Sequence, residues 1–286
     1  MLRLRHKARR SKLGLNSDAV TQKQASREWN SEAYHRLSRP QFEWGLKVLD
    51  RLKLRGDETV ADAGCGSGKV TAELLKRLPR GRVVALDLSG NMLQTAREHL
   101  KPRFDGRVFF IAADLHDIPL DSALDGIFST AAFHWVPDHD RLFRSLFRGL
   151  KPGGWLEAQC GGGPNLARVR ERTVALTSRP DFAPYFAGWA PPWQYPDDIT
   201  TAKRMRNAGF VEINTWLEEA PATLSDAAEY KEFLATVTLH RHIDRIPDPT
   251  MRERFMDELG RQAAADNPPF TLDYWRLNLS GRRAKA

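Results

Sequence analysis

Five residues, Gly64-Cys65-Gly66-Ser67-Gly68, separate a β-branched run from an amphipathic one and could carry the first piece of chemistry in this chain. Alternating glycines let a backbone turn tightly and touch a ligand, because no Cβ intervenes and positive φ carries no steric penalty. Nineteen residues beyond Gly68 stands Asp87, at the end of a second β-branched run. A carboxylate there can accept both hydroxyls of a ribose. The two features together predict a cofactor that contains adenosine. A dinucleotide fingerprint would need its third glycine at position 69. That residue is Lys69, and the glycines fall at 64, 66 and 68, a pattern that favours a ligand without pyrophosphate. Asp62 would repel a phosphate and could pair with a cationic amine, and Asp114, ending a third run, can accept the exocyclic amine of adenine. S-adenosylmethionine has such an amine at one end and hydrogen-bond donors over the rest.

These residues need a scaffold that brings strand ends together. From residue 57 the chain alternates short apolar runs with longer amphipathic ones, the pattern of parallel strands joined by helices. Strands are predicted at 59–63, 82–86, 108–112, 124–129 and 155–160, and helices at 70–78, 89–100 (with Ser89 as N-cap) and 139–150. Lys151-Pro152-Gly153-Gly154 reads as the turn into strand five. Beyond Gly163 the periodicity weakens, and residues 182–195 hold six aromatics in fourteen positions. A helix to about residue 208, a strand at 211–217, a helical stretch over 224–264 and a last strand at 274–279 complete the reading. The corresponding organisation is a basic arm at 1–24, a cofactor-binding core at 25–160, an aromatic insertion at 161–195, a core helix and strand at 196–220, a helical insertion at 221–267 and a closing strand with tail at 268–286. Two insertions on one edge would cap the sheet.

The motifs Val60 to Gly68, Val84-Ala85-Leu86-Asp87-Leu88-Ser89, Ala112-Ala113-Asp114-Leu115 and Leu150-Lys151-Pro152-Gly153-Gly154, in this order and spacing, resemble the class I S-adenosylmethionine-dependent methyltransferases. The resemblance spans roughly residues 28–160. Phe133-His134-Trp135-Val136-Pro137-Asp138-His139, the stretch from Trp29 to Gly45, and more weakly Tyr195 to Leu217 and Tyr274 to Asn278, look like the trans-aconitate methyltransferase branch. The resemblance implies an α/β, Rossmann-like sheet, mostly parallel with an antiparallel last strand, carrying helical cap insertions. It implies that Asp62 and glycines 64, 66 and 68 hold the methionine end and that Asp87 holds the ribose. Leu88 and Met92 would pack near the adenine, and Ala113, Asp114 and Leu115 would contact the base. Ser129 and Thr130 would line the methyl side, and an N-terminal helix bearing Tyr34 and Gln41 would close over the cofactor.

Methyl transfer from a sulfonium is an in-line displacement, so the protein chiefly aligns the acceptor and excludes water. An ionised carboxylate acceptor needs no general base. A phenol or alcohol does, and His134 is then the nearest candidate by position. Trp135, Trp189 and Trp193 are candidates for shaping the acceptor pocket and Arg241 for anchoring an anionic one, so the expected partner is a small-molecule methyl acceptor. His240 and His242, at i and i+2, do not read as a metal site, and none is expected; Cys65 reads as a structural residue. Asn267-Pro268-Pro269-Phe270 spells the motif with which adenine-N6 methyltransferases grip a flipped base, but there it must follow strand four, where this chain has Ser129-Thr130-Ala131-Ala132.

Composition sets the outer bounds. The chain has 286 residues, 41% of them hydrophobic and 28% charged, an ordinary globular balance. Its longest apolar stretch, Val108 to Ala113, is far short of the roughly 20 residues of a spanning helix. Two cysteines, Cys65 and Cys160, make no disulfide framework, and a cytoplasmic setting is expected. The formal charge of +8 invites a nucleic-acid reading. Six cations lie within residues 1–12 and three more, Arg282, Arg283 and Lys285, close the chain; without these nine, the body carries −1. Nucleic-acid methylation through the basic arm, or cofactor binding without chemistry, are the alternatives to a small-molecule methyltransferase. The sequence leaves the oligomeric state open.

Overall fold

The computed structural model describes residues 29–285. The basic arm predicted at 1–24 lies outside them. Helices α1 (Ser31–Leu37) and α2 (Arg39–Leu49) precede the sheet. The first half then runs β1 (Thr59–Ala63), α3 (Lys69–Arg77), β2 (Arg82–Asp87), α4 (Gly90–Phe104), β3 (Val108–Ala112), β4 (Leu124–Thr130), α5 (His139–Gly149) and β5 (Leu150–Gly161). It is followed by α6 (Ala167–Thr177), the short α7 (Ala183–Phe186), α8 (Asp198–Asn207) and β6 (Val211–Glu219). The remainder comprises β7 (Ala222–Thr223), α9 (Ala227–Phe233), α10 (His240–Ile243), α11 (Pro249–Ala264), β8 (Thr271–Leu272) and β9 (Trp275–Arg282).

Seven strands form one sheet in the order β3-β2-β1-β4-β5-β9-β6. All neighbours up to β5 are parallel, and β9 is antiparallel to both β5 and β6. The order reverses between β1 and β4, which opens a crevice at their carboxyl ends. Side-chain alternation explains why both faces must be covered: Ala61, Ala63, Val84 and Leu86 join the core on one face, while Val60, Val83 and Ala85 join the core on the other. Helices α3 and α4 cover the second face, through Leu74, Leu75, Ala96 and Leu100, and α5 covers the first, through Leu142, Phe143 and Leu146. Asp138 and Asp197 start α5 and α8 by accepting from the Arg141 and Thr200 amides.

A third core belongs to the cap. Leu166, Val169, Phe182 and Phe186 from the first insertion pack with Tyr230, Phe233, Phe255 and Leu259 from the second. Phe182 meets Phe255 edge to face at 5.2 Å.

Several predicted elements differ in extent. The helical stretch 224–264 is divided: α9 passes into a π-helical turn at Leu234–Thr238, the short α10 follows, and α11 starts at Pro249, capped by Asp248. Strand five begins at Leu150, because that residue already pairs with Leu124; a register shift there absorbs the Gly153 turn, whose φ is +80°. Strand β9 runs on to Arg282, being hydrogen-bonded on both edges. Two of the three closing cations are partnered: Arg282 pairs with Glu212 at 3.3 Å, and Arg283 donates to the Leu150 carbonyl at 2.7 Å.

Gly126 in β4 lies beneath the Trp155 indole of β5, and a Cβ there would stand 2.1 Å from the ring. Gly126→Ala is therefore expected to lower stability by about 1–3 kcal/mol through overpacking, read as a reduced melting temperature.

Candidate functional site

The glycine loop turns over the end of β1 because two neighbours dictate its path. Gly64 and Cys65 donate their amides to the Leu86 carbonyl at 2.8 and 2.9 Å. The Asp87 carboxylate then accepts from the Gly66 amide and, with its other oxygen, from the Ser89 amide, both at 2.9 Å. Gly64 sits at φ +84°, and a Cβ on it would lie 2.2 Å from that of Ala132. Gly66, at φ +52°, has nothing within 4 Å of its absent Cβ. The first glycine is required by packing, and the second leaves open space in front of the loop.

That space belongs to a cavity of about 1110 Å³ at the carboxyl ends of the strands. Asp62, Gly64, Gly66, Asp87, Leu88, Met92, Asp114, Leu115 and Thr130 line it, as do Tyr34 and Gln41. Helices α1 and α2 reach the site because α1 is bound to the loop and to α4: the Lys69 ammonium donates to the His35 carbonyl, His35 Nδ1 meets Ser67 Oγ at 2.9 Å, and Thr95 Oγ1 donates to Ser31 Oγ at 2.8 Å. Asp62 is buried, and its one hydrogen-bond donor among the described residues is the Thr71 hydroxyl at 2.6 Å. Burial pushes its carboxyl up to about 7, and the nearby Asp87 charge adds to the rise. A buried carboxylate with no cation beside it suits the ammonium of an amino acid, and the open face of Gly66 suits close approach by the rest of that group. The site therefore fits the methionine end of S-adenosylmethionine. Asp114 accepts from the His116 backbone amide at 2.9 Å, and the His116 ring Nδ1 lies 2.9 Å from the same oxygen.

Five residues expected at the site do not line this cavity. Ser129 points into the sheet and donates to the Ala63 carbonyl at 2.6 Å, so of the pair at the end of β4 only Thr130 faces the opening. Gly68, at φ +82°, begins α3, and a Cβ there would stand 2.9 Å from Leu100, so its small size serves helix packing. Ala113 is buried in the core beneath β2 and β3. His134 is buried one layer behind the wall, where its Nδ1 accepts from the Gly161 amide at 3.2 Å. Burial, with the Arg276 charge adding to the effect, holds its imidazole well below its usual range. It is neutral and its Nδ1 lone pair is already used. Trp193 lines a small annex behind the main cavity and also an outer pocket of about 570 Å³.

The cap supplies the other half of the main cavity. Trp135 and Trp189 line it with Trp29, Pro191, Pro192 and Gln194, and His240, Arg241, Asp244 and Arg245 close its rim. Trp29 packs against His240 at 4.0 Å and edge-on to Trp135 at 5.2 Å. Among the described residues neither ring nitrogen of His240 has a hydrogen-bond partner, and desolvation lowers its pKa to about 3. Trp29, His240 and Arg245 were not foreseen individually. The sequence marks Trp29 only as the start of the stretch that resembles the trans-aconitate methyltransferase branch, His240 only as half of an i, i+2 histidine pair, and Arg245 only by the basic residues near it. Arg276, in the annex, had a sharper signal: it is the one charged residue in the run Trp275 to Leu279. Among the described residues no group of three or more His, Cys, Asp or Glu could hold a metal ion, and no helix is long and apolar enough to cross a membrane.

A family model described as a methyltransferase domain matches residues 60–154. Among curated proteins, the chain is 29% identical over 252 residues to a trans-aconitate 2-methyltransferase of Methylobacterium radiotolerans, covering 85% of this chain and 91% of that one. It is 32% identical over 238 residues to the protein of the same name from Variovorax paradoxus, covering 77% and 83%. In fold it is similar to phosphoethanolamine N-methyltransferase 2 of Haemonchus contortus solved with S-adenosyl-L-methionine, at TM-score 0.58 and 18% identity, over 89% of this chain and 57% of that one. It is also similar to geranyl diphosphate C-methyltransferase of Streptomyces coelicolor solved with S-adenosyl-L-homocysteine, at TM-score 0.51 and 17% identity, over 85% and 76%.

Asp62 gives this site a pH signature. With its folded pKa near 7, the free site carries a proton below that value, whereas an ammonium ligand selects the ionised form. Calorimetric affinity for S-adenosylhomocysteine is therefore expected to fall about tenfold per pH unit below about 7 and to level off above it. Asp62→Asn should weaken binding at neutral pH and remove that slope.

Proposed function

Because the chain belongs to the class I S-adenosylmethionine-dependent methyltransferases, in their trans-aconitate methyltransferase-like branch, we propose that it esterifies a carboxylate of a small polycarboxylic acid. The observation that carries this reading is the acceptor half of the cavity. Arg241 and Arg245 outnumber Asp244 at its rim, and no histidine there is poised as a base. His134 lies behind the wall with Nδ1 occupied, His116 is held between Asp114 and the Asp138 amide, and His240, with its ring nitrogens buried and its pKa lowered to about 3, is a weak proton acceptor. A carboxylate is ionised at neutral pH, so such a site can align it without removing a proton.

When bound, S-adenosylmethionine supplies a methyl group on a positively charged sulfur with a neutral thioether as leaving group. The protein's part is placement. Asp62 holds the ammonium, Asp87 the ribose, and Leu88, Met92, Asp114 and Leu115 the adenine. Thr130, at the end of β4, stands on the methyl side, and Tyr34 and Gln41 cover the cofactor from the N-terminal helices. Trp29, Trp135, Trp189 and the two prolines exclude water from the acceptor, which strengthens its attraction to Arg241 and strips the attacking oxygen of solvent.

In a methyl-transfer screen with mass detection, small polycarboxylic acids such as trans-aconitate are expected to gain one methyl as a base-labile ester, and phenols and amines to give none. Products only on nitrogen or carbon would reject the reading. Arg241→Ala is expected to raise KM for the acid by about tenfold or more, the scale of a charge-assisted hydrogen bond, with little change in S-adenosylhomocysteine affinity.

A further inference from the structure

Behind the main cavity, past Ala131 and Trp135, lies an annex of about 30 Å³, room for one or two waters or a single carboxylate group. Arg276 of β9 reaches its floor and is only 2% exposed. A guanidinium taken out of water is costly unless it is paired. Yet Arg276 makes one hydrogen bond among the described residues, from Nε to Gln159 Oε1 at 3.3 Å, and no carboxylate lies within 4 Å. Glu218, opposite it in register on β6, turns instead to Arg51 at 3.7 Å and to the Asn278 amide at 3.1 Å. One face of the guanidinium stacks on Trp44 at 4.5 Å, leaving its terminal nitrogens without a hydrogen-bonded partner.

Everything else that faces this charge is neutral, and much of it donates. Tyr34, Tyr195 and Tyr274 line the annex, and burial raises all three phenols, so each keeps its proton. Trp193 also lines the annex, and its buried Nε1–H has no acceptor among the described residues. A buried cation and an orphaned donor on one small pocket describe the complement of an anion.

The cation is also held in place. Gln159 presents its oxygen to Arg276 because its amide nitrogen donates to Asn278 Oδ1 at 2.8 Å, and the same oxygen accepts from Arg51 at 2.6 Å. The relay fixes the amide orientation, and with it Arg276, from the far edge of the sheet.

We propose that this annex is a second carboxylate subsite, in which Arg276 and the Trp193 N–H grip a carboxylate of the acceptor other than the one methylated. The proposal rests on the reading of the acceptor as a carboxylic acid. It makes the enzyme selective for acids with at least two carboxylates: one lies beside Thr130 in the main cavity, one reaches into the annex, and Arg241 stands over the mouth.

The test compares trans-aconitate with the monocarboxylic acid crotonate in steady-state kinetics. The wild type is expected to methylate crotonate weakly; Arg276→Met is expected to raise KM for trans-aconitate at least about tenfold, to leave the rate on crotonate as in the wild type, and to bind S-adenosylhomocysteine as the wild type does. Arg276→Lys, which keeps the charge and loses the fork, should fall between. Should the methionine variant fail to fold, Trp193→Phe reads the same subsite, with KM for trans-aconitate raised and crotonate unaffected. Unchanged KM for trans-aconitate in these variants overturns the subsite while the acceptor class stands. Parallel losses on both acids together with weaker S-adenosylhomocysteine binding would assign Arg276 to structure and overturn it too. A wild-type enzyme that methylates no carboxylic acid overturns both readings.

Discussion

One carboxylate joins the two strand ends on which the site is built. Asp87 ends β2, and its side chain accepts amides from Gly66 ahead of α3 and from Ser89 ahead of α4. Two amides pointing at one acid hold both helix starts at the same edge of the sheet. The glycines follow from this: the loop must pass over Ala132 within a distance that no side chain allows, then turn back to reach Asp87. Sheet order does the rest, since the reversal between β1 and β4 keeps the ground in front of the loop clear.

The cap depends on the core less for its stability than for its position. Its apolar residues form their own cluster, drawn from two insertions that β6 and α8 separate in sequence. Trp44 of α2 joins that cluster while its ring supports Arg276 of the sheet, so one indole spans both units. Trp29, Trp135 and His240 make a second seam, at the cavity wall.

Much of the core was legible because its signals are local. The strand-ending acids Asp62, Asp87 and Asp114 and the glycine loop each lie within a few residues of the element that positions them. The misplacements of Ser129 and His134 share one physical cause, the direction a side chain takes at an element's end. Ser129 and Thr130 are neighbours, and strand alternation sends one inward and the other to the cavity. His134 follows the same strand, but the turn at Phe133–Trp135 drops its ring behind the wall. The helical stretch read at 224–264 breaks at Asp244 to Asp248, where Pro247 cannot continue a helix and Asp248 caps α11 afresh. Arg276 and His240 draw their meaning from surroundings supplied by distant segments, and no window along the chain contains those.

Strand β9 has an unusual place in the order of assembly. It is the late strand that wedges between β5 and β6, so those two cannot be bridged until the whole cap has been made. A chain emerging from the ribosome has its glycine loop and its three strand-ending acids well before β9 arrives, and domains organise from the N-terminus as they emerge. Long-range pairings such as β5 with β9 close slowly. The groove for the cofactor is thus built from early, near-neighbour contacts, whereas the wall bearing Arg276 is added last, by the strand that finishes the sheet. Recognition of the acceptor matures with the final act of folding.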